Sequence, residues 1–228
     1  MKRFYKDVTV TPGNGIALDG KPVKTPAKLP LVVPTGALAE AIAEEWRQQS
    51  ETINPHAMPL TKLANTAIDR IAPDHHPALQ EIVDYAGSDL VCYRADRPPE
   101  LVARQKAAWD PVIDWALTAL DAPFEQVTGV THHLQPPEAL RAVAIAIEGC
   151  SPFEIAALHN LTTLTGSAIL SLMLFRQAIG EEEAWRAAHV DEDYQIEQWG
   201  EDHEAKQRRI SRHAEFLACT RLLRLLRA

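Results

Sequence analysis

The spacing of apolar residues changes period once along this chain, and that change constrains the fold more than any other feature. Through residue 34 the chain reads as short β segments punctuated by turns. Val8-Thr9-Val10 is β-branched, Pro12-Gly13-Asn14-Gly15 is a turn signal, and Ile16-Ala17-Leu18 resumes the apolar pattern. Asp19-Gly20 is a pair favoured by two-residue hairpins, because both residues tolerate positive φ. Val23 and Leu31-Val32-Val33 suggest further short strands among Pro22, Pro26, Pro30 and Pro34. So small a unit buries too little surface to be stable alone, so it is expected to lean on helices.

From Thr35 the period is helical. Thr35 is placed to cap a helix whose stripe is Leu38, Ala41, Ile42, Glu45 and Trp46. Leu60, Leu63, Ala64, Ala67, Ile68 and Ile71 form a second stripe, and Leu79, Ile82, Val83 and Ala86 a third. Pro98-Pro99 opens a long helical stretch through Trp109, which Asp110-Pro111 either kinks or ends by capping a new helix. Pro136-Pro137 begins another, with Leu140, Val143, Ala144 and Ile147 inward. Ser151-Pro152-Phe153-Glu154 is a capping box. Ile169 to Phe175 is apolar on every side, the mark of a helix buried all round. Glu181-Glu182-Glu183 suits the positive end of a following helix dipole, and a last helix is expected over about residues 203–226. The expected class is α+β, with a small β-rich N-terminal domain over residues 1–34 and a larger all-helical domain over 35–228.

Composition removes several functions. Apolar residues make up 46% and charged residues 24%, as in an ordinary globular protein. No apolar run approaches the roughly 18 residues of a membrane span. The N-terminus has neither the apolar core of a signal peptide nor an acid-poor amphipathic stretch, so the chain is expected to be cytoplasmic and without membrane insertion. Cys92, Cys150 and Cys219 are too few and too far apart for a disulfide framework or a zinc site, and buried thiols are expected. Residues 1–202 hold 16 Lys+Arg against 29 Asp+Glu, whereas residues 203–228 hold 7 against 2. An acidic body of that kind repels phosphate backbones, which argues against a nucleic-acid partner.

The search for chemistry yields little. Gly15 to Lys21 matches the spacing of a phosphate-binding loop, but Pro22 stands where a magnesium-binding hydroxyl belongs and the stretch between the glycines reads as a strand. His75-His76 and His132-His133 are adjacent pairs in polar stretches, without the i, i+4 spacing that sets two imidazoles on one helix face. No serine elbow and no dinucleotide fingerprint occurs. The densest polar cluster runs from Asp191 to Glu204. On a helix, Glu192, Gln195 and Trp199 share one side of it. A solvated face, a protein contact and acid–base chemistry are all open to such a run; the tryptophan, enriched at contact hot spots, raises contact above chemistry. Arg208, Arg209 and Arg212, then Arg221, Arg224 and Arg227, interleave with leucines in the basic tail. An amphipathic helix docked on the core, its arginines meeting the acidic stretch, is the simplest use of that pattern.

Several short phrases resemble a known family when read together. They are Glu45-Trp46 with Pro55 and Met58-Pro59-Leu60-Thr61; Thr66-Ala67-Ile68-Asp69; Tyr85 and Asp89 through Ala95; Gln105 and Trp109-Asp110-Pro111; Gly166-Ser167; and Tyr194-Gln195 with Trp199-Gly200. The family is that of the assembly chaperones of the F-type ATP synthase catalytic head, those that bind the alpha subunit. The resemblance implies a β-rich N-terminal and a helical C-terminal domain, an alpha-subunit partner, no cofactor and no catalysis, in a protein monomeric on its own; eukaryotic relatives are mitochondrial. It also implies a functional glutamate three residues after the Trp-Gly pair, where this chain has His203 between Asp202 and Glu204. The expected partner-binding residues are therefore Glu192, Gln195, Trp199, Glu201, Asp202 and Glu204. The alternative is a small-molecule enzyme using the carboxylates between Glu192 and Glu204.

Overall fold

The computed structural model describes residues 1–228 and resolves the chain into two units. Unit 1 comprises Met1–His76, Cys150–Ala157 and Ala218–Ala228, and unit 2 comprises Pro77–Gly149 and Leu158–Leu217. The period change at residue 34 therefore marks where strands give way to helices, and the two units divide elsewhere. The class is α+β.

Unit 1 starts with an antiparallel meander of β1 (Val8–Thr11), β2 (Gly15–Leu18) and β3 (Lys21–Pro22). Leu18 faces Lys21, so Asp19 and Gly20 are the two turn residues, and their φ values of 47° and 77° are those a type I′ hairpin demands. Asp19 also accepts backbone N–H bonds from Lys6 and Asp7 at 3.0 and 2.8 Å. Its carboxyl is thereby held below the ordinary range, chiefly by the bond from Asp7. The glycine-to-lysine stretch that imitates a phosphate loop is thus strand and hairpin, with no helix behind it. Leu31 to Val33 joins the meander through single bridges and does not form a strand, yet keeps the strand alternation: Leu31 and Val33 are buried and Val32 is exposed.

Helix α1 (Gly36–Arg47) packs on β1 and β2, and its N-terminal Leu38 N–H bonds the Thr35 hydroxyl at 3.2 Å. Ile16, Leu31, Leu38, Ile42 and Leu60, each 1% exposed or less, form the core of this unit. Helix α2 (Pro59–Thr66) opens on a proline and continues into a π-helical turn over Ala67–Ile71. Its N-terminal amides are met from α1: the buried Glu45 carboxylate accepts Leu60 N–H at 2.7 Å, Thr61 N–H at 2.8 Å and the Thr61 hydroxyl at 2.7 Å. A carboxylate at a helix N-terminus offsets orphan donors and the dipole together. Ser151 and Glu154 form the reciprocal capping box, Ser151 N–H to Glu154 at 2.7 Å and Glu154 N–H to the Ser151 hydroxyl at 3.3 Å.

Unit 2 is helical: α3 (His76–Ala86), α4 (Pro99–Leu120), α5 (Pro137–Ile147), α6 (Pro152–Thr165), α7 (Ala168–Phe175), α8 (Glu181–Ala188), α9 (Val190–Trp199) and α10 (His203–Leu225) supply its residues, with the outer ends of α3, α6 and α10 belonging to unit 1. Three details depart from the sequence reading. Asp110-Pro111 does not start a new helix: α4 runs through it, and Asp110 pairs with Arg94 at 2.9 Å. The inward face of α5 is Ala139, Val143 and Ile147, with Ala144 exposed, so the stripe is turned by one residue. A two-residue parallel pair, β4 (Tyr93–Arg94) with β5 (Val127–Thr128), sits among the expected helices. Helix α7 is buried from Ala168 through Leu174.

Candidate partner-binding surface

Helix α9 buries none of its residues completely, unlike the helices beside it. What fixes it in unit 2 is a set of polar side chains reaching across from α4. Gln105 is 3% exposed; its amide oxygen accepts Ala95 N–H at 2.7 Å and its amide nitrogen donates to Asp191 at 2.7 Å. Arg104 grips Glu197 with two bonds of 2.8 and 2.7 Å and lies 5.4 Å from the Tyr194 ring. That fork holds the exposed Glu197 carboxyl below its ordinary range. Trp109 donates its indole N–H to the Ala187 carbonyl at 2.7 Å, tying α4 to α8. Trp185 lies against His189 and His213 in tilted arrangements, 3.8 and 4.6 Å from ring centre to ring centre. Burial pushes the His189 pKa down, so it stays neutral beside Glu192, 3.8 Å away.

This anchoring sorts the acidic run. Asp191, Asp193 and Glu197 are engaged sideways or inward, Asp193 by an ion pair with Arg209 of α10. Glu192, Gln195 and Trp199 share a face turned away from Asp193 and Glu197, where Glu192 is half exposed and Gln195 exposed. Trp199 is 78% exposed at the end of the helix. Gly200, at φ 85°, breaks the helix there. The three remaining candidates lie past that break, at the start of α10. Asp202 accepts the Ala205 N–H at 3.0 Å and so caps α10. Glu201 pairs with Lys206 at 3.0 Å, and Glu204 with Arg208 at 3.6 Å. All six candidates thus lie on α9 and the corner that follows it, and three of them also complement the α10 dipole. The capping role of Asp202 has a local signal, an aspartate immediately before the first helical residue, His203. In the basic tail, Arg209 meets the acidic stretch, whereas Arg212 donates to the Leu164 carbonyl at 2.7 Å.

A groove of about 630 Å³ lies near this helix, walled by Arg104, Trp115, Met173, Ile179, Glu183 and Arg186 among others. From α9 it takes only Val190. None of the carboxylates between Glu192 and Glu204 faces into it.

Two further phrases of the family pattern have structural roles. Asp89, wholly buried, accepts Val91 N–H at 3.2 Å and Ile169 N–H at 3.1 Å, closing the N-terminus of α7. Gly166, at φ 68°, accepts the Leu90 N–H on its carbonyl at 3.0 Å, and a Cβ there would stand 3.6 Å from the Leu90 Cβ. Ser167 caps α7 through Leu170 N–H at 3.0 Å.

Comparison with known proteins agrees with this pattern. Residues 2–117 match the family model described as ATP12 chaperone protein. A crystal structure from Agrobacterium tumefaciens is 50% identical, covers 99% of this chain and 86% of its own, and superposes with a TM-score of 0.95. The crystal structure of ATP12 from Paracoccus denitrificans is 42% identical over 99% of this chain and 98% of its own, with a TM-score of 0.91. The mitochondrial protein atp12 of Schizosaccharomyces pombe is 25% identical over 214 residues, 87% of this chain and 74% of that protein.

Proposed function

The chain belongs to the ATP12 family of ATP synthase assembly chaperones, and from that premise we propose that its client is the unassembled alpha subunit of the F-type catalytic head. Alpha and beta alternate in the assembled ring, so each presents a large apolar contact face before the other arrives. Exposed faces of that size drive self-association. A protein that binds free alpha better than assembled alpha covers the face and yields it to beta, with no need of catalysis or nucleotide. An affinity roughly between micromolar and nanomolar serves such a temporary partner. The protein acts as a monomer in the aqueous compartment where the head is built.

The single observation that supports the location of the contact is Trp199, a large aromatic ring 78% exposed on a helix otherwise dressed with charge. Glu192 and Gln195 flank it on α9, and Glu201, Asp202 and Glu204 extend the surface past the corner. The enzyme reading gains nothing from the groove beside α9, whose walls include none of those carboxylates. Purified protein should capture alpha, and not beta, from a mixture of the two. Trp199→Ala should weaken that capture by about 2 kcal/mol, as truncated hot spots do. Its melting temperature should stay near that of the parent, since the ring contributes little burial. Loss of stability with unchanged affinity of the folded fraction would remove Trp199 from the surface.

The acidic residues have a different expected role. The Glu201–Lys206 and Glu204–Arg208 pairs are exposed, worth at most about 1 kcal/mol each. Reversing Glu201 and Glu204 to lysine should therefore leave melting nearly unchanged. Association with alpha should slow and its salt dependence flatten, because rim charges steer encounter more than they set final affinity. Stopped-flow rates at low and high salt measure this; equal rates at low salt would return the cluster to a solvated face.

A further inference from the structure

The β meander of unit 1 has two faces of different character. Val8, Ile16 and Leu18 lie on the inner face and are buried toward α1. The alternate residues make the outer face, and the register fixes which they are. Thr9 stands beside Ala17 and Ala17 beside Pro22; Thr11 stands beside Gly15 and Gly15 beside Val32; Lys24 stands beside Pro30. A Cβ on Gly15 would come within 2.7 Å of the Thr11 Oγ1 and 3.6 Å of a Val32 methyl carbon, so those two side chains flank the glycine on this face. The face is uncovered: Thr9, Pro22, Lys24 and Pro30 are exposed, and Val32 is 47% exposed. An antiparallel sheet commonly turns one face to water, and that face is then polar. Here it is threonine, proline, valine and one ammonium group.

The charge of this region is opposite to that of the whole chain. Residues 1–34 hold 6 Lys+Arg against 2 Asp+Glu, a balance of +4 in a protein of net charge −8. Lys24 stands on the face itself, and Lys28 lies in the turn that follows, its N–H bonded to the Thr25 carbonyl at 2.8 Å. Neither lysine makes an ion pair. The carboxylates of the region are placed elsewhere. Asp7 and Asp19 lie together at the opposite, Asp19-Gly20 end, where Asp19 accepts the amides of Lys6 and Asp7. Asp69 accepts the Thr25 hydroxyl and the Ala27 N–H. Thr25 is 4% exposed and follows Lys24, so strand alternation turns it, and Asp69 with it, toward the inner side.

We propose that this face docks an acidic stretch of the client chain, with small apolar side chains laid over Val32 and Pro22 and carboxylates on Lys24 and Lys28. The inference rests on the client reading above and adds a second contact surface to it. A protein segment fits the face better than a membrane does. Two lysines hold a protein to anionic lipid only weakly, and the net charge of −8 opposes that approach. The face itself is flat and offers no aromatic ring or long aliphatic chain to insert.

The test uses the full-length protein and the purified alpha subunit of the same organism as probe. Lys24→Glu combined with Lys28→Glu should slow association with alpha on the order of tenfold at low salt, and the difference should shrink at high salt. Lys24→Arg with Lys28→Arg should associate like the parent. Val32→Ser should speed dissociation at either salt concentration. All three positions are exposed, so each variant should melt near the parent temperature. A photoreactive residue in place of Pro22 should cross-link to one stretch of alpha rich in Asp and Glu. Parental rates in the glutamate and serine variants would overturn the face and leave alpha as the client, as would cross-links only to a second copy of this chain. A glutamate variant slowed equally at every salt concentration would remove the charge complementarity and the proposal with it. Co-sedimentation with phosphatidylglycerol vesicles, lost in a glutamate variant that binds alpha like the parent, would assign the face to lipid instead. Failure of the parent protein to bind alpha would overturn the client reading and the face together.

Discussion

Trp109→Ala is expected to cost unit 2 about 3–5 kcal/mol, the range for a fully buried aromatic truncated in a core. In a chain of this length that corresponds to a fall of roughly 10 °C in melting temperature. The ring is 0% exposed, so its whole volume becomes cavity. Its N–H bond to Ala187 is lost at the same time, leaving a buried carbonyl unpaired. The Arg94 guanidinium, 5.3 Å from the ring centre, loses its aromatic neighbour. Trp109→Phe keeps most of the volume and drops only the hydrogen bond, so it should lie within about 1–2 kcal/mol of the parent. The functional consequence follows from position: α8 is tied to α4 at this bond, and α9, with Trp199, continues directly from α8. Client binding should therefore fall in Trp109→Ala in proportion to the unfolded fraction. Calorimetry beside a binding titration separates the effects. Melting within about 1 kcal/mol of the parent would show that the core closes over the gap.

What the sequence revealed of this fold was what local chemistry decides. The Asp19-Gly20 hairpin is read from two adjacent residues, because only a few residue types tolerate two consecutive positive φ values. The Ser151–Glu154 box is read from a four-residue spacing, and both of its bonds are present. The one-sided placement of Glu192, Gln195 and Trp199 comes from helical spacing alone. Bonds between distant residues were not legible. Glu45 looked like a polar member of the α1 stripe, and nothing in its neighbourhood says that it fills the N-terminus of α2, 15 residues on. Gln105 meets Asp191 across 86 residues, and Arg104 meets Glu197 across 93. Those contacts decide which acids of the run are free, and periodicity is silent about them. Pro111 shows the opposite failure: a strong local breaker signal was overridden by the packing of α4 on both sides of it, where Trp109, Val112, Ile113 and Ala116 are all buried. The family phrases were recognisable as a pattern, yet their physical reason, carboxylates closing helix N-termini and an amide bridging to α9, required the fold.

The contribution of Asp89 to stability should fall as pH rises from about 4 to about 6, opposite in sign to that of the buried His189, whose pKa is lowered. Burial raises the Asp89 pKa from 3.8 to about 6, against the bonds from Ser167, Ile169 and Val91 that favour the anion. A carboxyl whose folded pKa lies above its unfolded value binds more protons folded than unfolded. Its contribution is therefore fully present below the unfolded pKa and is lost as pH climbs through the folded one. Two pH units of separation correspond to roughly 3 kcal/mol, of which water penetration and relaxation will reduce some part. The buried Glu45 is raised in the same direction, again mainly by burial, and adds to the slope with the same sign. Both carboxylates nonetheless stay, because each satisfies amides at a helix start that no nearer side chain reaches. Asp89→Ala should make this plain: it orphans the Val91 and Ile169 N–H groups, at about 1–3 kcal/mol each, and destabilises at every pH. Asp89→Asn keeps an acceptor but cannot ionise, so its stability should be flatter between pH 4 and 6 than that of the parent. Chemical denaturation at a series of pH values measures both. Parallel pH profiles for the parent and Asp89→Asn would show that the buried carboxylate is ionised throughout, its desolvation cancelled by the amides it caps.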